Sequence, residues 1–136
     1  MTKVSFFGAA GEVTGSNFLI ETGEHTYVVD CGLFQGSDVM TEQNDDPFAY
    51  DATKVEAVII THAHLDHIGR LPMLVKSGFR GPIFATEATI ELTAITLKDA
   101  MEIMEHRNER EGKPPMYEEV DLKRTLDMFQ AVPYHQ

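Results

Sequence analysis

A single cysteine, Cys31, occurs among 136 residues. No disulfide framework can form within one copy, and a lone thiol suits a reducing compartment such as the cytoplasm. Apolar runs are short, and none approaches the roughly 20 residues a helix needs to span a bilayer. No membrane partner is therefore expected. The opening Met1-Thr2-Lys3-Val4-Ser5-Phe6-Phe7-Gly8 is too brief for a secretory signal core, and no small-residue cleavage site closes it. Basic side chains are scarce, with 11 Lys and Arg against 22 Asp and Glu and a net charge of −11. That balance disfavours nonspecific binding to nucleic acid, which relies on Lys and Arg at phosphates. Internal repeats and low-complexity segments are also missing.

What is present is an ordinary globular composition, 43% hydrophobic and 24% charged. The length suits one domain with a real core. Val4, Phe6 and Phe7 begin a short apolar strand, followed by a glycine-rich loop over residues 8–16. Residues 17–21 and 26–30 flank Gly23 and read as a β-hairpin. Residues 32–53 look irregular, a length usually functional or mobile. Residues 55–60 form a near-continuous apolar run, the pattern of a strand buried on both faces. Ile68, Leu71, Leu74 and Val75 then recur at helical spacing up to Gly78, with Pro72 acceptable only in a first turn. Pro82-Ile83-Phe84-Ala85 is a further strand. Ile90, Ala94, Leu97, Met101 and Met104 mark a long helix, broken at Gly112-Lys113-Pro114-Pro115. Leu122, Leu126 and Phe129 predict a last helix reaching Val132-Pro133, after which residues 132–136 read as the start of a strand. Strands first, then strand–helix alternation, predict an α/β fold with a mixed β-sheet and helices on one face.

The chemistry lies in Thr61-His62-Ala63-His64-Leu65-Asp66-His67-Ile68-Gly69. Four metal-competent side chains fall within six positions at the end of a buried strand. Imidazole with carboxylate is a zinc-type donor set. His62 and His64, two apart, point the same way on an extended backbone and can grip one ion. Asp66 and His67 diverge from that pair and suit a second ion, and two metals about 3.5–4 Å apart clamp the oxygens of a hydrolysed ester. The competing readings are solvated loop histidines, against which the density of the motif argues, and a purely structural zinc site, which would prefer thiolates. Asp30, at the end of the hairpin, either orients a ligand imidazole or caps its own turn; spacing does not separate the two. Cys31 reads as a small buried hydrophobe, His25 and His106 as surface residues, and His135 as incidental. The loop over residues 8–16 either approaches phosphate with its amides or is a tight turn; it matches neither phosphate-binding fingerprint.

These residues resemble a known signature. Thr61-His62-Ala63-His64-Leu65-Asp66-His67 resembles the His-x-His-x-Asp-His motif of the metallo-β-lactamase superfamily. Gly8-Ala9-Ala10-Gly11-Glu12-Val13-Thr14-Gly15-Ser16, Asp30-Cys31-Gly32-Leu33-Phe34-Gln35-Gly36 and Ile68-Gly69-Arg70-Leu71-Pro72 look like its β-CASP branch of RNA-processing nucleases. The likeness is specific over residues 4–88. Asp30 matches the first family motif, and His62, His64, Asp66 and His67 match the second.

The resemblance implies the N-terminal part of a metallo-β-lactamase αββα sandwich over residues 1–136, two zinc ions in the complete protein, and RNA as the substrate. It implies His62, His64, Asp66 and His67 as metal ligands. Asp66 would also be catalytic, managing the proton of the attacking water, and Asp30 would orient a ligand from behind. His67 is expected to start a helix, whose end would favour an anion. The family's Gly-His-x-Leu-Gly-Ser segment, a later bridging Asp, a C-terminal histidine and the inserted β-CASP domain do not occur in these residues. The expectation is thus an N-terminal piece, nearly inactive alone, with an open core face prone to self-association into a homo-oligomer. The acidic charge weighs against RNA. It clusters at 42–51 and 102–127, however, and two divalent metals would add about four positive charges where a phosphate sits. A small-molecule hydrolase of the same fold, acting on a thioester or lactam, and a non-catalytic metal-binding or interaction module are the alternatives.

Overall fold

The structure is a computed structural model and describes residues 1–135. Gln136, the end of the expected final strand, lies outside the described residues. Six strands form one mixed sheet in chain order. β1 (Thr2–Phe6), β2 (Phe18–Thr22) and β3 (His25–Val29) make an antiparallel meander. Gly23 takes the left-handed φ of 62° at the two-residue turn between β2 and β3. β4 (Ala57–Ile59), β5 (Ile83–Ala85) and β6 (Phe129–Ala131) then add in parallel. Parallel neighbours need crossover connections, and these are the helices. α1 (Asp38–Glu42) lies in the first crossover, α2 (Leu65–Ile68) and α3 (Leu71–Lys76) in the second, α4 (Glu87–Glu111) and α5 (Glu119–Asp127) in the third. No helix among the described residues is long and apolar enough to cross a membrane.

Strand register sorts the side chains into two faces. Leu19, Val28, Val58, Ile83 and Phe129 are in register across β2 to β6, and Val28, Val58 and Ile83 have no exposure at all. Ile68, Leu71, Leu74, Val75, Phe79, Leu97 and Leu122 complete this core. The helical stripe read from α4 lies here, with Leu97 fully buried and Ile90, Met101 and Met104 packed on the cluster.

The other face remains apolar but open. Phe6 is 61%, Val4 46% and Ile59 44% exposed. Residues 55–60 therefore do not form a strand buried on both faces: Val58 points into the core while Ile59, in the middle of the sheet, meets solvent. The sequence is apolar on both sides whether or not a second layer is present to cover it.

Three other elements differ from the sequence reading. The helix expected from Ile68 to Val75 is two helices, interrupted at Gly69-Arg70, and Pro72 sits in the first turn of α3 where no N–H partner is lost. The last helix stops at Asp127, and Phe129 starts β6 beside β5. Apolar residues at 122, 126 and 129 fit a helix by spacing; pairing with an available strand edge overrides that. Residues 32–53 are ordered by buried polar groups. Asn44 exchanges two hydrogen bonds with the Phe34 backbone, at 2.7 and 2.9 Å. Arg70, 6% exposed, donates to the carbonyls of Asn44 and Asp46 and lies over the Phe48 ring at 4.5 Å.

The segments that leave β3 and β4 are sewn together by backbone. Cys31 N donates to His67 O at 2.8 Å, Leu33 N to Leu65 O at 3.1 Å and Arg70 N to Cys31 O at 3.0 Å. Ser16 N donates to Asp66 O at 2.9 Å, and Gly32 N to Ser16 O at 2.8 Å. This close approach requires glycine at position 32, where a Cβ would lie 1.6 Å from Asp66 O.

Three substitutions test this packing. Leu74→Ala, at a position with no exposure, should cost about 2–5 kcal/mol in urea denaturation. Ile95→Ala, at 67% exposure, should stay within about 0.5 kcal/mol of the parent in the same measurement. Gly32→Ala must force the two segments apart and should destabilise by about 2 kcal/mol or more. A Gly32→Ala melting curve that overlays the parent's would show that the segments part freely.

Candidate metal centre

β3 and β4 are parallel neighbours with Val29 opposite Ile59, so both chains leave the sheet at the same edge. Asp30 leaves first, with a left-handed φ of 58°. Asp and Asn tolerate that conformation better than most residues. The bend puts Asp30 N on Ile59 O at 2.9 Å and turns the carboxylate under the segment that leaves β4.

The Asp30 carboxylate is 2% exposed and fully engaged. Oδ1 accepts from Thr61 N at 2.9 Å. Oδ2 accepts from the Thr61 hydroxyl at 2.9 Å and the Ser16 hydroxyl at 3.3 Å. Oδ2 also lies 2.7 Å from His67 Nδ1. A carboxylate offers about four lone-pair directions, and four donor groups fill them. From behind, Asn17 Nδ2 donates to the Asp30 carbonyl at 2.9 Å, and the half-buried Tyr50 hydroxyl donates to Asn17 Oδ1 at 3.1 Å. Burial drives the Tyr50 hydroxyl upward from its ordinary pKa, so it stays a neutral donor.

The four motif residues come together above this carboxylate. The His62 ring lies 4.8 Å from the His64 ring and 4.0 Å from the His67 ring, centroid to centroid. His67 Nε2 is 3.5 Å from Asp66 Oδ2, with both side chains about one-fifth exposed. His64 is exposed. The division into a His62/His64 pair and an Asp66/His67 pair is less clean than spacing suggests, because His67 lies nearer His62 than His64 does. His67 does not start a helix either. It is the third residue of the single turn α2, and His64 is the N-cap. One turn carries no useful macrodipole, so the helix-end argument for an anion at His67 falls away.

Imidazoles and a carboxylate, partly exposed and free of thiolate, fit a divalent ion of the zinc type by chemistry. In number they fall short: among the described residues, no group of three His, Cys, Asp or Glu side chains is arranged to hold one ion. Cys31 does not add a donor. It is wholly buried, and burial pushes its thiol up to about 12, which keeps it protonated. His25 is exposed and 3.0 Å from Glu56, His106 is exposed on α4, and His135 is exposed in a turn.

Thr61, Ser16 and Asn17 are the site residues that sequence reasoning missed. Their contacts with Asp30 span 31, 14 and 13 positions, and hydroxyl and amide side chains give no local signal of such a partner. The glycine-rich loop closes on itself, Ala9 N to Thr14 O at 3.1 Å and Phe7 N to Asn17 O at 2.9 Å. It is a bent loop whose end delivers Ser16. A cleft of about 610 Å³ lined by Asp38, Glu42, Asp45, Arg107, Glu111 and Lys113, among others, includes none of the histidines. Acidic residues from both charged stretches therefore face each other there, away from the cluster.

The chain is similar to several known proteins. The chain is 42% identical over 128 residues to ribonuclease TTHA0252 of Thermus thermophilus, covering 94% of this chain and 27% of that protein. It is 37% identical over 125 residues to transcription termination factor FttA of Methanosarcina mazei, covering 91% of this chain and 19% of that one. The chain thus spans about a quarter or less of these relatives' length. Among solved structures, the metallo-beta-lactamase fold protein YhfI from Bacillus subtilis superposes with a TM-score of 0.46 at 29% identity, covering 67% of this chain and 39% of that one. The profile of the metallo-beta-lactamase superfamily matches residues 10–91, a span that holds Asp30 and the whole histidine cluster, and the chain belongs to that superfamily.

Proposed function

We propose that this chain is part of a zinc-dependent phosphodiesterase of the β-CASP branch that cleaves RNA. In this reading His62, His64, Asp66 and His67 hold the metal and Asp30 orients His67. The observation that carries it is the convergence of these four side chains over a buried carboxylate that binds His67 Nδ1 at 2.7 Å. With Nδ1 held inward, His67 has only Nε2 to offer a metal, the arrangement of many carboxylate–histidine–zinc sites. A bound divalent ion would supply positive charge at a phosphoryl oxygen and acidify a water molecule. In this reading Asp66, 3.5 Å from His67 Nε2 and partly exposed, would be the group that manages the proton.

RNA is favoured over a thioester or lactam by the relatives named ribonuclease and transcription termination factor. Part of the acidic charge, at Glu42, Asp45 and Glu111, lines the cleft rather than the cluster. We further read residues 1–136 as the N-terminal portion of a metallo-β-lactamase domain. Donors fall short of three per ion, a catalytic zinc needs about three, and the second sheet face is open.

The test is a zinc titration by calorimetry beside an RNA cleavage assay with added zinc or manganese. The chain should bind zinc weakly and lose binding in His62→Ala and His64→Ala. Alone it should cleave RNA little. A longer polypeptide supplying the remaining donors should cleave RNA in a zinc-dependent manner that His64→Ala abolishes. Zinc binding indifferent to both histidine substitutions would remove the metal site from this cluster. Robust cleavage by the 136-residue chain alone, lost in His64→Ala, would overturn the account of missing donors.

A further inference from the structure

His62 has a polar partner behind its ring that no motif predicts. Its Nδ1 lies 3.0 Å from the Thr61 hydroxyl oxygen. That same oxygen lies 2.9 Å from Asp30 Oδ2 and 3.1 Å from Oδ1. A hydroxyl has one proton. An ionised carboxylate has none, so a contact of this length between two oxygens is favourable only with the hydroxyl proton between them. The Thr61 hydroxyl must therefore donate to Asp30. Its oxygen can then only accept from His62, and Nδ1 of His62 must carry the hydrogen. Backbone geometry holds the relay in place, because Thr61 N also donates to Asp30 Oδ1 at 2.9 Å.

We propose that Thr61 is a positioning residue that relays the Asp30 carboxylate to His62, fixing the Nδ1–H tautomer and presenting Nε2 of His62 as the ligand atom. Asp30 thereby sets two imidazoles at once, His67 by direct contact and His62 through one hydroxyl. This inference rests on the reading of the cluster as a metal centre for its purpose, but the tautomer itself is a property of the metal-free chain. Free imidazole side chains favour the Nε2–H form, so the relay works against the intrinsic preference and has an observable signature.

The experiment is long-range ¹H–¹⁵N correlation spectroscopy of the histidine rings in the metal-free chain, at a pH where the rings are neutral. The parent should show His62 and His67 both protonated at Nδ1. Thr61→Val keeps the shape and removes the hydroxyl; His62 should move to the Nε2–H form while His67, bonded directly to Asp30, stays as it was. Thr61→Ser should restore the parent pattern at His62. In a zinc titration of the same proteins, Thr61→Val should weaken affinity by about 10-fold or more, the usual effect of losing a group that orients a ligand, and Thr61→Ser should not. His62 protonated at Nε2 in the parent, or unchanged in Thr61→Val, would overturn the relay. Parent tautomers as stated but no zinc binding would overturn the metal reading instead, and the two failures are thereby told apart.

Discussion

A carboxylate taken out of water must be surrounded by donors, and Asp30 is the point at which this chain meets that demand. The group is 2% exposed. Burying such a charge without partners would cost several kcal/mol. Its donors come from three separate stretches, Ser16 after the first loop, Thr61 after β4, and His67 in α2. Satisfying one charge therefore fixes the mutual position of three segments. The same contacts aim the ring of His67 and, through Thr61, that of His62. Stability and site geometry are here one constraint.

The sheet makes that constraint possible. Parallel pairing of β3 with β4 puts residues 30 and 61 at the same edge, although they are far apart in sequence. The helices lie on one face and close the core beneath, so the segments above can be irregular without losing their support. Gly32 and the backbone bonds around it let two chains approach closer than any side chain would allow. Arg70 secures the long segment that follows by donating to its carbonyls and stacking on Phe48. Its charge is met by carbonyl dipoles and an aromatic face, with no carboxylate among its hydrogen-bond partners within the described residues.

The open face and the short donor count belong together. A sheet with Phe6, Val4 and Ile59 on its outer side exposes an apolar patch, the kind of surface that marks interaction sites. Above its edge, four donors cluster without forming a three-ligand set. Both features underlie the proposal that residues 1–136 are the N-terminal portion of a metallo-β-lactamase domain.

What was legible in the sequence was whatever depends on neighbours in the chain. Four donors in six positions after an apolar run marked the cluster, because strand and turn geometry over so short a span leaves them few ways to diverge. The α/β class, the hairpin and the long helix followed from periodicity in the same way, and the burial of Cys31 from its residue type. Tertiary structure decided everything that depends on contacts across the chain. Asp30 read equally well as a turn cap or as a partner of a ligand until β3 and β4 paired and brought His67, 37 positions away, to 2.7 Å. Residues 129–131 had helical spacing until the free edge of β5 claimed them as a strand. Thr61 carried no signal at all, since a hydroxyl reveals its role only through the groups it touches. Local periodicity records which faces a segment can bury, but hydrogen-bond partners at long separation are set by which strands lie side by side, and that is a property of the folded sheet.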